Sequence, residues 1–189
     1  MDFKEFIQND RENRNKEKFH GSFLDYLSIV KENPEITELA HKRIYKSIID
    51  KGVEILKAEE NPRVKKIYGN QTIRKYGFFK DDFYGIDKIL MKLVNYFNSA
   101  AMKGEESRQV LYLVGPVGAG KSSLVESLKK ALENCQPIYA LEGCPMHEEP
   151  LHLIPKHLRP QFEKQLGVQI EGDLCPICRY RLKHELKGV

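Results

Sequence analysis

The chain has 189 residues, of which 41% are hydrophobic and 31% charged, with a formal net charge of +4. That suits one domain, or one domain plus an extension, with enough apolar material for a sizeable core. No apolar run approaches membrane-spanning length. The charge-dense N-terminus (Lys4, Glu5, Asp10, Arg11, Glu12, Arg14, Lys16, Glu17, Lys18) argues against a secretory signal, and four cysteines with one C-x-x-C do not make a disulfide framework. The expected setting is cytoplasmic.

The first hundred residues read as helical. Ser22 is placed to cap a helix through Val30, with Phe23, Leu24, Leu27 and Val30 on one side. Asn33-Pro34 predicts a second start, Asn at the cap and Pro at the first helical position. Ile36, Leu39, Ala40, Ile44 and Ile48 follow at helical spacing, and Gly52 is the expected stop. This hairpin-like region, residues 1–56, carries no chemical motif and reads as scaffold or partner contact.

Residues 57–80 form a connecting segment with turn dipeptides at Asn61-Pro62 and Gly69-Asn70. Here Arg63, Lys65, Lys66, Arg74, Lys75 and Lys80 alternate with Tyr68, Tyr76 and Phe78, a mixture found at nucleic-acid interfaces and equally in solvated connections. Interleaved acidic and basic residues elsewhere argue against a dedicated nucleic-acid-binding protein. From Asp87 a strong helix is predicted, its stripe made of Ile86, Ile89, Leu90, Leu93, Val94 and Phe97, with Gly104 beyond its end.

After a short polar linker comes QVLYLVGPVGAGKSSLVESLKKAL: a buried strand (Val110 to Val114), a glycine-rich turn and an amphipathic helix. Gly115-Pro116-Val117-Gly118-Ala119-Gly120-Lys121-Ser122 matches G-x-x-x-x-G-K-[ST] in full. Glycines let successive N–H groups point at phosphate oxygens, and the helix adds the positive end of its dipole. Lys121 is the expected partner of the β- and γ-phosphates, stabilising charge there, and Ser122 the expected Mg²⁺ ligand. A chance glycine turn is the bland alternative. The strand before and the helix after favour nucleotide binding, ATP or GTP.

Pro137 to Leu141 (PIYAL) reads as a second core strand. Leu151 to Leu166 suggests short helical pieces, Val168 to Ile170 a short strand, and Cys175 to Leu186 a final helix. Cys144-Pro-Met-His147 and Cys175-Pro-Ile-Cys178 share the two-residue gap that lets paired ligands grip one metal, together a Cys₃His zinc set. Unmetallated cytosolic thiols and a redox C-x-x-C are the alternatives, and His152 and His157 stand near enough to replace His147. The start of an H-E-x-x-H motif at His147-Glu148 fails because position 151 is Leu151. Glu148 and Glu149 read as solvated loop carboxylates.

From Asn61 onward the chain resembles the PrkA family, bacterial AAA+ ATPases described as serine protein kinases. The strings are NPRVKKIYGNQTIRKY, FYGIDKILMKLVNYFNSAAMKGEESRQVLYLVGPVGAGKSSLVESLKKAL and PIYALEGCPMHEEPLHLIP. GSFLDYLSIVKENP and AHKRIYKSI in the opening helices are similar too. The resemblance implies that Gly115 to Ser123 (Gly115, Pro116, Val117, Gly118, Ala119, Gly120, Lys121, Ser122 and Ser123) cradles the triphosphate and Mg²⁺. It also implies that the Asp82-Phe83-Tyr84-Gly85 segment lies beside the adenine, Phe83, Tyr84 and Gly85 being its contacts. A cytoplasmic, ring-forming protein with a protein substrate or partner is the implied setting.

An AAA+ core also needs an acidic Walker B strand end, a sensor, an arginine finger and a helical lid. The 67 residues after Ser122 hold no apolar strand ending in Asp-Glu; PIYALEG offers only Glu142. Protein-kinase motifs are absent from the sequence as well. The expected fold class is therefore α/β: a helical N-terminal region followed by an incomplete P-loop parallel sheet with flanking helices, residues 81–189 forming a partial AAA+ domain. The chain reads as the front part of a longer PrkA-type protein that binds ATP and Mg²⁺. A non-enzymatic module with a zinc-stapled tail and an inert P-loop, or a small-molecule P-loop kinase, are the rival readings.

Overall fold

The computed structural model describes residues 3–17, 19–57, 59 and 62–186. Lys18 of the charged N-terminal run and Asn61 of the first turn dipeptide lie outside them. In chain order the elements are α1 (Phe3–Glu17), α2 (Phe23–Glu32), α3 (Ala40–Ile49), β1 (Val53–Leu56), α4 (Pro62–Tyr68), β2 (Ile73–Tyr76), α5 (Asp87–Ala101), α6 (Lys121–Glu133), α7 (Arg159–Leu166) and α8 (Pro176–His184). No helix among the described residues is long and apolar enough to cross a membrane. The chain divides into two compact units, Glu38–Gln136 and the pair of segments Met1–Thr37 and Pro137–Val189.

The 38–136 unit is built on α5. Leu90, Leu93, Val94 and Phe97 recur at helical spacing and are buried. α3 and α6 pack with this unit through Ile44, Ile48, Leu124 and Leu128. Phe79, from a 3₁₀ turn after β2, fills the centre of this core at 2% exposure. β1 and β2 pair antiparallel, Val53 opposite Tyr76 and Leu56 opposite Ile73. Only Ile73 and Tyr76 of β2 are fully buried, so this is a surface ribbon with one anchored strand. The Tyr68 hydroxyl donates to Asp87 at 2.5 Å, and that bond, with burial and the carboxylate's charge, pushes the phenol up to about 12.

The aromatics of the basic 63–80 segment are thereby accounted for. Tyr76 is buried, Phe78 packs half-buried against the core and Tyr68 is paired with Asp87. They stabilise the fold instead of presenting rings to a nucleic acid.

The other unit gathers Tyr26 and Val30 of α2 with Ile36, Leu151, Ile154, Leu166, Val168 and Ile170. The expected cap is present: Asp25 N–H donates to Ser22 Oγ at 3.3 Å while Ser22 N–H donates to the Asp25 carboxylate at 2.8 Å. The single helix predicted after Asn33-Pro34 is split. Pro34–Thr37 makes one 3₁₀ turn, Leu39 is extended, and α3 begins at Ala40.

The parallel sheet expected around the P-loop is not formed among the described residues, whose only ladder is β1–β2. Residues 110–114 keep the side-chain alternation of a strand: Leu113 packs on the core while Val110, Tyr112 and Val114 are 90%, 83% and 80% exposed. A parallel strand requires hydrogen-bonded neighbours and covered faces, and none is adjacent here. Pro137 to Leu141 likewise forms no ladder; Leu141 N–H instead closes a loop onto Glu148 O at 2.9 Å. Val168 to Ile170 is no strand either, because side chains satisfy its backbone. Ile170 N–H donates to Glu163 at 2.7 Å, and the Arg159 guanidinium donates to Ile170 O at 3.4 Å and to Gly172 O at 2.7 Å.

Candidate functional site

The glycine-rich turn lies between the extended 110–114 segment and α6. Gly118 (φ 82°) and Gly120 (φ 77°) both occupy the left-handed region, where a side chain would be strained, and Gly120 is the residue that starts the helix. Gly115 differs. A Cβ there would make an ordinary 3.7 Å contact with Ala119, so its glycine leaves room and does not set the turn. Ala119 N–H donates to Pro116 O at 3.3 Å, and Leu124 N–H makes the first intrahelical bond, to Gly120 O at 2.9 Å. The N–H groups at the head of α6 before Leu124 are those a helix cannot satisfy internally.

Lys121 folds back over the turn, its ammonium donating to Gly115 O at 2.8 Å and to Pro116 O at 2.6 Å. Val117 at the tip is fully exposed, and Ser122 and Ser123 are exposed on the first turn of α6. Leu124, Leu128 and Ala131 on the opposite face are buried, so core packing fixes the helix while its first turn stays open to solvent.

The 83–85 segment is near. The Phe83 ring lies beside Gly120, 3.5 Å from where a Cβ on that glycine would stand. It is held by an edge-to-face contact with Phe79, centroids 5.9 Å apart. Tyr84 is 80% exposed and Gly85 takes φ 74°. These three residues line a cleft of about 610 Å³ whose other walls include Gly52, Tyr76 and Leu90. The structure thus brings Phe83 to the glycine-rich turn, whereas Tyr84 projects into solvent.

The second constellation lies in the other unit. Cys144 and Cys178 are buried and Cys175 is half-buried. Their sulfurs lie within 4.8 Å of one another, Cys144 and Cys175 at 3.6 Å. His147 belongs to the same turn as Cys144 but is exposed and stands outside the sulfur cluster. Burial raises the Cys144 pKa, but N–H groups of Glu148 and Met146 and the neighbouring thiols outweigh it and hold that thiol below its ordinary value. Burial, together with the Cys144 and Cys175 sulfurs, pushes Cys178 up to about 12.

The reading of Glu148 as a solvated carboxylate is corrected. At 8% exposure its carboxylate accepts from Cys175 N–H and pairs with His152 Nδ1 at 2.5 Å, while His152 Nε2 contacts Glu171 O at 2.7 Å. Burial raises the Glu148 pKa, but His152 and the Cys175 backbone prevail and lower it. Glu149 is also engaged, accepting the Tyr26 hydroxyl at 2.5 Å. The Glu148–His152 spacing of four residues was the available signal. Glu148→Gln keeps an acceptor and loses the charge, so it should cost about 1–2 kcal/mol, measured by urea unfolding with chelator present.

Residues 21–189 match the family model described as PrkA AAA domain. The "ATP-dependent protease PrkA" of Bacillus subtilis (strain 168) is 41% identical over 194 residues, covering all of this chain and 28% of its own length. The "Serine/threonine kinase YeaG" of Escherichia coli (strain K12) is 38% identical over 114 residues, 58% of this chain and 17% of its own. A "Lon protease" of Methanosphaera stadtmanae is 32% identical over 75 residues, 40% of this chain and 8% of its own. The chain therefore spans under a third of the length of these relatives, and no solved structure matches it. A P-loop AAA domain binds nucleotide, and the match over nearly the whole sequence makes this chain a member of the PrkA AAA domain family.

Proposed function

We propose that this chain is the ATP- and Mg²⁺-binding part of a PrkA-type ATPase, with the phosphates on the 115–123 turn. The observation that carries the reading is the turn itself: two left-handed glycines lead into a packed helix whose first turn carries exposed Ser122 and Ser123. The N–H groups of 118–123 would donate to the phosphate oxygens, and Lys121 would exchange its carbonyl partners for the β- and γ-oxygens, which as anions bond it more strongly. Ser122 offers the hydroxyl for Mg²⁺. Bound Mg²⁺ supplies charge neutralisation across the β- and γ-phosphates. Phe83 stacks on the adenine in the adjoining cleft, with Gly85 allowing close approach and Tyr84 closing over from solvent.

For the whole protein we carry forward ATP-dependent serine protein kinase activity, in a cytoplasmic and ring-forming assembly. The name of the Bacillus relative supports a second reading, ATP-dependent proteolysis. Both use the same turn. Incubating the full-length protein with labelled ATP and a protein substrate separates them: phosphoserine without shortening supports the first, and ATP-dependent shortening without label supports the second.

The binding step is tested by titrating the chain with ATP and with inorganic tripolyphosphate, each with and without Mg²⁺. Phe83→Ala should weaken ATP by about 0.5–1.5 kcal/mol, the worth of one aromatic stack, and leave tripolyphosphate unchanged. Ser122→Ala should remove most of the gain that Mg²⁺ gives. If neither ligand binds, a non-enzymatic module with an inert P-loop replaces this reading.

A further inference from the structure

The sulfur cluster is independent of the nucleotide site and is unexplained by it. Its members come from two short turns 31 residues apart in sequence. One is the Cys144–His147 turn, closed by His147 N–H donating to Cys144 O at 3.1 Å. The other is the start of α8, where Cys175 is the capping residue and its sulfur accepts Cys178 N–H at 3.3 Å.

The 3.6 Å between Cys144 and Cys175 sulfurs is too long for a disulfide, whose S–S distance is about 2.05 Å. It is close to the edge of a sulfur tetrahedron around zinc, about 3.8 Å for Zn–S bonds of about 2.3 Å. Buried cysteines acting as small hydrophobes pack among carbon atoms. These three pack on one another, their sulfurs all within 4.8 Å. Glu148 clamps the two turns together by holding Cys175 N–H and His152.

We propose that Cys144, Cys175 and Cys178 hold one zinc ion as thiolates, with His147 turning inward as the fourth ligand. The fourth position is assigned to the histidine that shares a turn with Cys144. Both nitrogens of His152 are engaged, by Glu148 and by Glu171 O. The Glu148 carboxylate is committed to Cys175 and His152. His147 is exposed and sits at φ 49°, in the left-handed region that a side chain rarely adopts. A closed set of three sulfurs and one nitrogen makes a structural site, with no open position for catalysis. It would tie the loop after Leu141 to the head of α8. Each thiol gives up its proton to solvent as the metal binds.

The test uses the 189-residue chain purified without added chelator. Elemental analysis should find one zinc per chain. Replacement by Co²⁺ should give a thiolate-to-cobalt charge-transfer band and the visible bands of a tetrahedral ion. Cys178→Ser should abolish stoichiometric binding. His147→Ala should keep the charge-transfer band, shift the visible bands and weaken Co²⁺ roughly tenfold or more, at least the cost of losing a supporting contact. Cys135→Ser, in the other unit, should change nothing. Thiol counting on the unmutated chain covers the case in which Cys178→Ser fails to fold: one cysteine should react before a chelator is added and all four after it. No retained metal and no charge-transfer band, or equal thiol reactivity with and without chelator, overturns the site. Unchanged visible bands in His147→Ala overturn the fourth ligand.

Discussion

Lys121→Ala should weaken Mg²⁺-ATP binding while leaving the fold intact. The ammonium donates to two carbonyls of its own turn, Gly115 and Pro116, so the free protein already holds it over the place where phosphate oxygens would lie. Losing a hydrogen bond to a charged group costs about 1.5–3 kcal/mol, a weakening of roughly 10- to 150-fold. The two bonds lost from the free protein are at an exposed turn, and stability should change by no more than about 0.5 kcal/mol. Lys121→Arg should not restore binding, because a planar guanidinium cannot take the place of a compact ammonium in a turn this tight. Calorimetric titration of the three proteins with Mg²⁺-ATP reads the effect, and equal affinities would remove Lys121 from the site.

Phe79→Ala should be the most damaging single change to the 38–136 unit, at about 3–5 kcal/mol. The ring is 2% exposed and meets Phe78 and Phe83 edge to face, with centroids 4.8 and 5.9 Å away. It belongs to the same core as Ile48, Leu90 and Val94, which come from two helices and so cannot close together on the space it leaves. Phe79→Leu keeps most of the volume and should cost less than about 1.5 kcal/mol. Amide exchange along α5 reads this unit specifically. Slow exchange persisting in the alanine variant would mean that the core does not depend on this ring.

Local signals account for what was legible in the sequence. The Ser22 cap, the α5 stripe at Leu90, Leu93, Val94 and Phe97, and the helix after the glycine-rich turn are each set within a few residues and are found where the pattern places them, whereas Ile89 of that stripe is exposed. The glycine-rich turn was legible for the same reason: Gly118 and Gly120 mark the two positions that take positive φ. The parallel sheet was not, because a strand is a relation between distant segments. Residues 110–114 carry the alternation of a strand but find no ladder among the described residues. Glu148 was misread because its partners are one turn away on one side and 27 residues away on the other. The convergence of Cys144 with Cys175 and Cys178 was suggested by spacing alone. The exclusion of His147 from that cluster was not, since it depends on which way one exposed side chain points.

The central claim is that nucleotide phosphates bind on the 115–123 turn and the base beside Phe83. Residue-resolved amide chemical shifts, followed as Mg²⁺-ATP is added to the chain, test this most directly. The predicted result is saturable movement of the amides of Gly118 to Ser123 together with Phe83 and Gly85, of which tripolyphosphate reproduces only the first group. Saturable movement confined to other residues, or none at all at concentrations that saturate other nucleotide-binding turns, would contradict it.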